Sequence, residues 1–331
     1  MSEDQAYAWF KLARWASTGG EPTCPQCGCI GAYERGNRRF RCKEKVCEVE
    51  FSVTSGTVLA SRKLSFRTLL MAIALSVLSV KGKAACQLKR ELAVDYKTAF
   101  VLPHKMRESI AVLRRDLKLD GIVEMDGMYL GGHLRQKNRK ENRVDGRLAE
   151  NRTGKREAVL AMRERGQGGR TLSAAVPEER ADVAWHLTKN HVERGAGLRA
   201  DQHPSYDELC GLNEIVRNNH ARAYVEAADA STNQAESHFS RLRRAEIGIH
   251  HRIAGKYLDW YAADVAWRED RRRTPFDEQA QSVLASALNH PVSRDMAGYW
   301  QRDGKRRTPL MAWNPLRGMG PPPDAADSQM T

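Results

Sequence analysis

No stretch of the chain approaches the roughly 20 consecutive apolar residues that a membrane-spanning helix needs. The best candidate, Leu69 to Val80 (LLMAIALSVLSV), is too short and is flanked by Arg67 and Lys81, so it reads as a buried helix. The N-terminus, MSEDQAYAWFKLARWAST, is amphipathic and has no apolar signal-peptide core, which argues against export. Internal repeats are absent, which excludes solenoid and propeller architectures. Acid is scarce beside base: 41 Asp and Glu against 54 Lys and Arg give a formal net charge of +13. That balance points to a polyanionic partner, nucleic acid above all. Cysteine is sparse too. There are seven in 331 residues, an odd number, and four of them cluster with metal-ligand spacing. This favours a reducing, cytoplasmic compartment and a metal site over a disulfide framework. With 41% hydrophobic and 29% charged residues the composition is that of a folded, soluble chain with room for two or three domains.

Cys24-Pro-Gln-Cys27 is followed by Cys42 and Cys47, a C-x2-C…C-x4-C pattern with fourteen residues between its halves. Two tight knuckles across a short hairpin bring four thiolates into the tetrahedral geometry zinc prefers. Cys24, Cys27, Cys42 and Cys47 are therefore the expected ligands of a structural zinc. Four unrelated thiols would leave the spacing unexplained. Gly28 suits the turn after the first knuckle, and Cys29, just beyond it, reads as a bystander. Cys86 and Cys210 read as small buried hydrophobes.

Five segments follow from the pattern: an N-terminal helix at 1–20, a zinc ribbon at 21–58, a helical segment at 62–115, a strand-rich core at 120–275 and a C-terminal extension at 276–331. The extension holds one helix near 277–290 and ends in Gly-Met-Gly-Pro-Pro-Pro and a tail expected to be disordered. In the helical segment Ala84–Leu92 is a short helix, Ala93-Val94 a tight break, and Asp95 a cap for the next helix. This is the outline of a helix-turn-helix, with Tyr96, Lys97, Lys105 and Arg107 on the element that would enter the major groove. A helical hairpin used only for packing has the same outline. Pro103 should kink or end its second helix.

Three acids carry the chemistry. Asp126 ends an apolar strand-like run, Gly121–Asp126, and Asp201 follows another, Gly197–Ala200. Glu236 opens a long basic helical stretch over 231–270. Two strand-borne aspartates and a helix-borne acid can hold a pair of hard divalent cations, Mg²⁺ or Mn²⁺, which clamp the attacking and leaving oxygens of a phosphodiester. Asn233 shares the Glu236 face of that helix, and Ser240 and Arg243 continue it. Taken singly, each acid would read as a turn former or a solvated side chain. Basic runs containing Arg135, Lys137, Arg152–Arg156, Arg241, Arg244 and Arg268–Arg273 are expected to hold backbone phosphates of DNA.

The stretches Asp126-Gly-Met-Tyr-Leu-Gly-Gly132, Asp201-Gln-His-Pro-Ser-Tyr206 and Thr232-Asn-Gln-Ala-Glu-Ser-His-Phe-Ser240 together resemble the DDE-type insertion-sequence transposases. Within them the chain looks like the ISXO-like group, which joins an N-terminal zinc ribbon to an integrase-like domain. The ribbon and Phe51-Ser-Val-Thr-Ser-Gly-Thr57 match the same group, so the resemblance runs from about residue 20 to 275. It departs at Gly127, where an acid commonly stands, and at Ser231, where a histidine is usual.

The resemblance implies a multidomain α+β chain whose core is a ribonuclease-H-like α/β fold with a mixed sheet. Asp126 would bridge two Mg²⁺ or Mn²⁺ ions, Asp201 would bind one, and Glu236 or Asn233 would complete the set. Glu236 is favoured because a carboxylate binds Mg²⁺ better than an amide does. Arg243 stands where the group often has a lysine and is expected to contact phosphate. The implied partners are double-stranded DNA, as the element's terminal repeats and as target, and a second copy of the chain, since two DNA ends must meet. The implied place is the nucleoid. Two other classes share these features: a DNA-binding regulator with an inert core, and a nuclease that cuts without joining.

Overall fold

A computed structural model of the chain describes residues 1–131, 139–143, 156–218, 231–293 and 295–300. Arg135, Lys137, most of the basic run from Arg152 and the tail from Asn314 lie outside the described residues. The described residues divide into two units, one built from Met1–Leu113 with those from Arg273 to Trp300, the other from Arg114–Arg272.

In the first unit helix α1 (Glu3–Arg14) starts at a capping box: the Ser2 hydroxyl takes the Gln5 N–H while the Gln5 side chain takes the Ser2 N–H. Strands β1 (Ala32–Arg35), β2 (Arg39–Cys42) and β3 (Glu50–Ser52) form an antiparallel ribbon. Trp15 meets Phe40 edge-on at 5.6 Å and Phe51 at 6.4 Å, which seats the end of α1 on the ribbon. Helix α2 (Phe66–Leu78) is tied to α1 by a carboxylate: Glu3 accepts the N–H groups of Phe66 and Arg67 at the α2 N-terminus, both at 2.9 Å. Arg38 on the ribbon pairs with Glu3 at 3.1 Å and Asp4 at 2.6 Å. Helix, ribbon and α2 thus share one set of contacts.

Helices α3 (Ala85–Leu92) and α4 (Tyr96–Leu113) follow, and the break between them is Ala93 in the left-handed region at φ 53°. The helix does not end at Pro103. It continues for three further turns, because Leu102, Met106 and Ile110 are buried along one face. That burial outweighs the roughly 3 kcal/mol a proline costs inside a helix.

The second unit is a five-stranded mixed sheet in the order β6-β5-β4-β7-β8, formed by β4 (Ile122–Gly131), β5 (Arg156–Glu164), β6 (Thr171–Val176), β7 (Gly197–Asp201) and β8 (Ile215–Asn218). β4, β5 and β6 run antiparallel, while β4, β7 and β8 run parallel. Helix α5 (Ala181–His191) and a 3-10 segment, Pro204–Gly211, bury Val183, Leu187, Tyr206 and Leu209 with Val123, Met125, Leu160 and Leu198 in one core. Strand alternation leaves Glu124 and Asp126 for the other face. Helices α6 (Asn233–Ala245) and α7 (Gly255–Asp270) pack on the sheet as well, α6 on β4 and β5, α7 on β5 and β6. The basic stretch expected as one helical run is therefore two helices, parted by a turn at His251 with φ 57°. Helix α8 (Phe276–Asn289) packs with α1, α2 and α4 in the first unit.

α7 also carries a buried acid. Asp259 is 1% exposed and accepts the Ala175 N–H of edge strand β6 at 3.0 Å through Oδ1. Burial pushes its carboxyl up to about 7, against the pull of that N–H and with the help of the Glu157 charge. The folded protein therefore holds a proton on Asp259 that the unfolded chain has lost, and stability falls as pH rises from about 4 to about 7. Asp259→Asn keeps the acceptor and removes the titration. In thermal melts it is expected to match wild type near pH 4 and to melt several degrees higher at pH 8; equal melting temperatures at pH 8 would contradict this account.

Candidate metal centres and active site

The ribbon knuckles form as the spacing requires. Gly28, at φ 75°, donates its N–H to the Cys24 carbonyl at 3.0 Å, and Cys47 N–H meets the Glu44 carbonyl at 3.0 Å. The sulfurs of Cys24 and Cys47 are 3.8 Å apart, those of Cys27 and Cys42 3.5 Å, and all four ligand atoms lie within 4.8 Å of one another. Thiolates at ~2.3 Å from a tetrahedral zinc stand about 3.8 Å apart, so the four cysteines fit zinc. The thiols themselves resist this crowding. Cys24 is opposed by burial, but the N–H groups of Cys27 and Gln26 bring it down to about 7. Cys42 is pushed up to about 12, first by burial and then by bonds to its neighbouring thiols. A dication removes that conflict by taking all four as thiolates. Cys29 points its sulfur to the Ile30 carbonyl, outside the cluster. Cys86 and Cys210 are exposed, contrary to the burial expected of them. α3 turns Leu88 and Leu92 inward, and the 3-10 segment turns in Tyr206 and Leu209, so each cysteine falls on the outer side.

In the second unit β4 runs past Asp126 to Gly131, so that this acid sits within a strand rather than at its end. β4 and β7 pair in step from Ile122 with Gly197 to Met125 with Ala200. The next positions along are Asp126 and Asp201, which brings the two aspartates side by side where the pairing ends. Asp126 is half-buried, and its carboxyl is pushed up to about 7 by burial first, then by the charges of Asp201, Glu179 and Glu236. Neither Asp126 nor Asp201 forms an ion pair with an arginine or lysine among the described residues. Converging carboxylates without a basic counter-charge are a donor set for a hard cation. Among the described residues only the cysteines have all their ligand atoms within 4.8 Å. Asp126, Asp201 and Glu236 do not close on one point in that sense.

Glu236 comes from α6, whose N-terminus is fixed by Glu124. This carboxylate, 1% exposed on β4, accepts the N–H groups of Gln234 at 2.7 Å and Ala235 at 3.1 Å. Its other oxygen takes Arg165 Nε at 2.8 Å, and Arg165 also reaches the Ser231 hydroxyl at 3.2 Å. Glu124 lies two residues before Asp126, so one strand carries one candidate acid and the clamp that aims the helix bearing another. From α6, Asn233, Glu236, Ser237, Ser240, Arg241 and Arg244 line an open pocket. Arg243 is exposed and lies outside that lining.

Residues 118–270 match the family model for the ISXO2-like transposase domain, and residues 1–49 match that for the transposase zinc-ribbon domain. The chain belongs to the ISXO2-like insertion-sequence transposases. No curated protein and no solved structure matches it. The ribbon match includes α1, in keeping with the contacts of Glu3, Trp15 and Arg38.

Of the transposase residues expected at DNA on α4, Tyr96 and Lys97 are exposed at its start. Lys105 is half-buried, and burial lowers the pKa of its ammonium group; Arg107 is 5% exposed. The spacing along α4 hid this, because its later turns are buried nearly all round. No helix among the described residues is long and apolar enough to cross a membrane. Two residues escaped the sequence reading. Glu124 stands in the same apolar run as Asp126, where a charge inside a strand was itself a signal. Glu179 has its carboxyl against Gly127, and the missing side chain at 127 was the only hint of it.

Two measurements follow. Purified protein is expected to carry one zinc per chain; Cys24→Ser should lose it and melt early in the first unit, while Cys29→Ser should retain full zinc by elemental analysis. Glu124→Ala strands two helix N–H groups and a largely buried Arg165. It is expected to lose about 3 kcal/mol in urea unfolding; a loss under about 0.5 kcal/mol would remove Glu124 from the role given to it.

Proposed function

We propose that this insertion-sequence transposase cuts DNA at its element's ends and joins the freed strands to target DNA. The reading is carried by the adjacency of Asp126 and Asp201 on strands paired in step, with the helix of Glu236 docked on the same strand. The sheet order β6-β5-β4-β7-β8, three antiparallel strands followed by two parallel, supports a ribonuclease-H-like core over about 120–275.

Asp126 and Asp201 are the residues that would hold Mg²⁺ or Mn²⁺, with Glu236 as third ligand. Glu236 is favoured over Asn233 because a carboxylate binds Mg²⁺ better than an amide does. A pair of such ions, when bound, supplies an activated water and stabilises the leaving oxygen. Asn233, Ser237 and Ser240 offer hydrogen bonds to a phosphate in the α6 pocket, and Arg244 and Arg241 offer charge. Arg243, exposed beside them, would meet backbone phosphate further along the strand. Water attacks the phosphodiester at the element's end and leaves a 3′-hydroxyl. That hydroxyl attacks target DNA in line, so no covalent protein–DNA intermediate forms. The ribbon, with Cys24, Cys27, Cys42 and Cys47 on zinc, and the α3–α4 hairpin, a helix-turn-helix over about 62–115 with Tyr96 and Lys97 foremost, would bind the terminal repeats. Joining two ends calls for at least a dimer on DNA.

The test is incubation of the protein with Mn²⁺ or Mg²⁺ and a labelled duplex carrying the flanking element's end, beside Asp126→Ala. Nicked and joined products are expected from wild type, falling about a thousandfold or more in the variant. Tight binding without cleavage in either protein would mark a DNA-binding regulator, and cutting without joining would mark a nuclease.

A further inference from the structure

Glu179 lies between β6 and α5, next to two residues that behave as such a turn predicts: Glu178 and Arg180 are both exposed. Glu179 instead turns inward, its side chain only 7% exposed. An acid before a helix gains from the helix dipole without having to be buried. Burying it sacrifices hydration, and among the described residues the basic group that meets it is His203, whose Nδ1 is 3.9 Å away and already bonded to Ser205 at 2.7 Å. One carboxylate oxygen, Oε1, accepts the hydroxyl of Tyr206, a side chain with no exposure at all. Burial, and then the charge of Glu179, holds the Tyr206 hydroxyl protonated well above its ordinary range, so it remains a donor. The other oxygen, Oε2, has no hydrogen-bond partner among the described residues.

The place it occupies is the backbone beside Asp126. A Cβ built at Gly127 would lie 2.4 Å from the Glu179 carboxyl carbon and 2.4 and 2.5 Å from its two oxygens. The strand can carry no side chain there while Glu179 stays where it is. Gly127 is not held by its conformation, since it has no positive φ and sits in a regular antiparallel ladder opposite Leu160. Glycine leaves the space that the carboxylate occupies, and a Cβ there would push the Glu179 carboxylate aside. Glu179 thus reaches β4 from the side of α5, at the residue next to Asp126.

We propose that Glu179 is a further carboxylate of the divalent-cation site, aimed by Tyr206 and admitted by the bare backbone at Gly127. The proposal rests on the reading of Asp126, Asp201 and Glu236 as cation ligands. Its ligand class is a hard dication, Mg²⁺ or Mn²⁺, and Glu179 meets it directly or through one water.

The experiment is a titration of zinc-loaded, full-length protein with Mn²⁺ alone, free Mn²⁺ being read by electron paramagnetic resonance. Glu179→Gln keeps an oxygen for Tyr206 and should melt as wild type does, yet bind Mn²⁺ about 10- to 100-fold more weakly. Glu178→Gln should bind as wild type. Gly127→Ala should weaken binding by displacing the carboxylate, and the double variant with Glu179→Gln should be no weaker than either alone. Should Glu179→Gln bind within twofold of wild type while Asp126→Ala loses the ion, the assignment of Glu179 is overturned and the cation site stands. Additive losses in the double variant would overturn the part given to Gly127. A wild-type protein that takes up no Mn²⁺ overturns both readings.

Discussion

Glu124 ties a strand to a helix by two backbone hydrogen bonds, from Gln234 and Ala235. It is nearly without exposure, so those bonds and its pairing with Arg165 act in a medium where an unpaired carboxylate is costly. The first turn of a helix has N–H groups in need of acceptors, and a carboxylate there is the strongest acceptor a chain can offer. Because Asp126 follows two residues later on the same strand and Glu236 two residues after Gln234 on the same helix, this clamp fixes the relation of the two acids. Without it, α6 would keep its apolar face of Ala235, Phe239 and Leu242, but its approach to β4 would be set by packing alone.

Both candidate metal-binding regions gather groups that repel or exclude one another. In the ribbon the thiols crowd until one ionises easily and another scarcely at all. In the core, burial and three neighbouring carboxylates push Asp126 up to about 7. In each case the chain supplies ligands together with the electrostatic reason for a cation. The ribbon has closed around its site, because short loops between the cysteines leave the sulfurs nowhere else to go. The acids have not closed, because strands and a helix from distant parts of the chain bear them.

The sequence made some of this legible and hid the rest for definite reasons. The knuckle spacing, the helical segment before the core, the strand-rich character of the core and the candidate acids Asp126, Asp201 and Glu236 were all visible as local patterns. Clamp and fourth carboxylate were not, because Glu124 meets α6 across 110 positions of chain and Glu179 meets Gly127 from a distant turn of the chain. Pro103 misled for a related reason: local propensity argued for an end to α4, and burial of its apolar face overruled it. A departure from the expected acid at 127 was readable. What filled the space was not.

The surplus of base deserves the same reading in space. Net charge of +13 suggested cations free for DNA, yet many arginines serve the interior. Glu269, with a side chain 3% exposed, is met by Arg163 at 3.2 Å, Arg241 at 2.9 Å and Arg272 at 2.8 Å. One buried carboxylate with three guanidiniums leaves net positive charge directly behind α6. Arg241 therefore does two things: it braces α7 to α6 through Glu269, and it lends part of its charge to the pocket it lines with Arg244. A positive wall on one side of Glu236 and carboxylates on the other would sort a phosphodiester by its own chemistry. In the proposed reaction its anionic oxygens would be drawn toward the arginines, and its phosphorus would lie toward the acids.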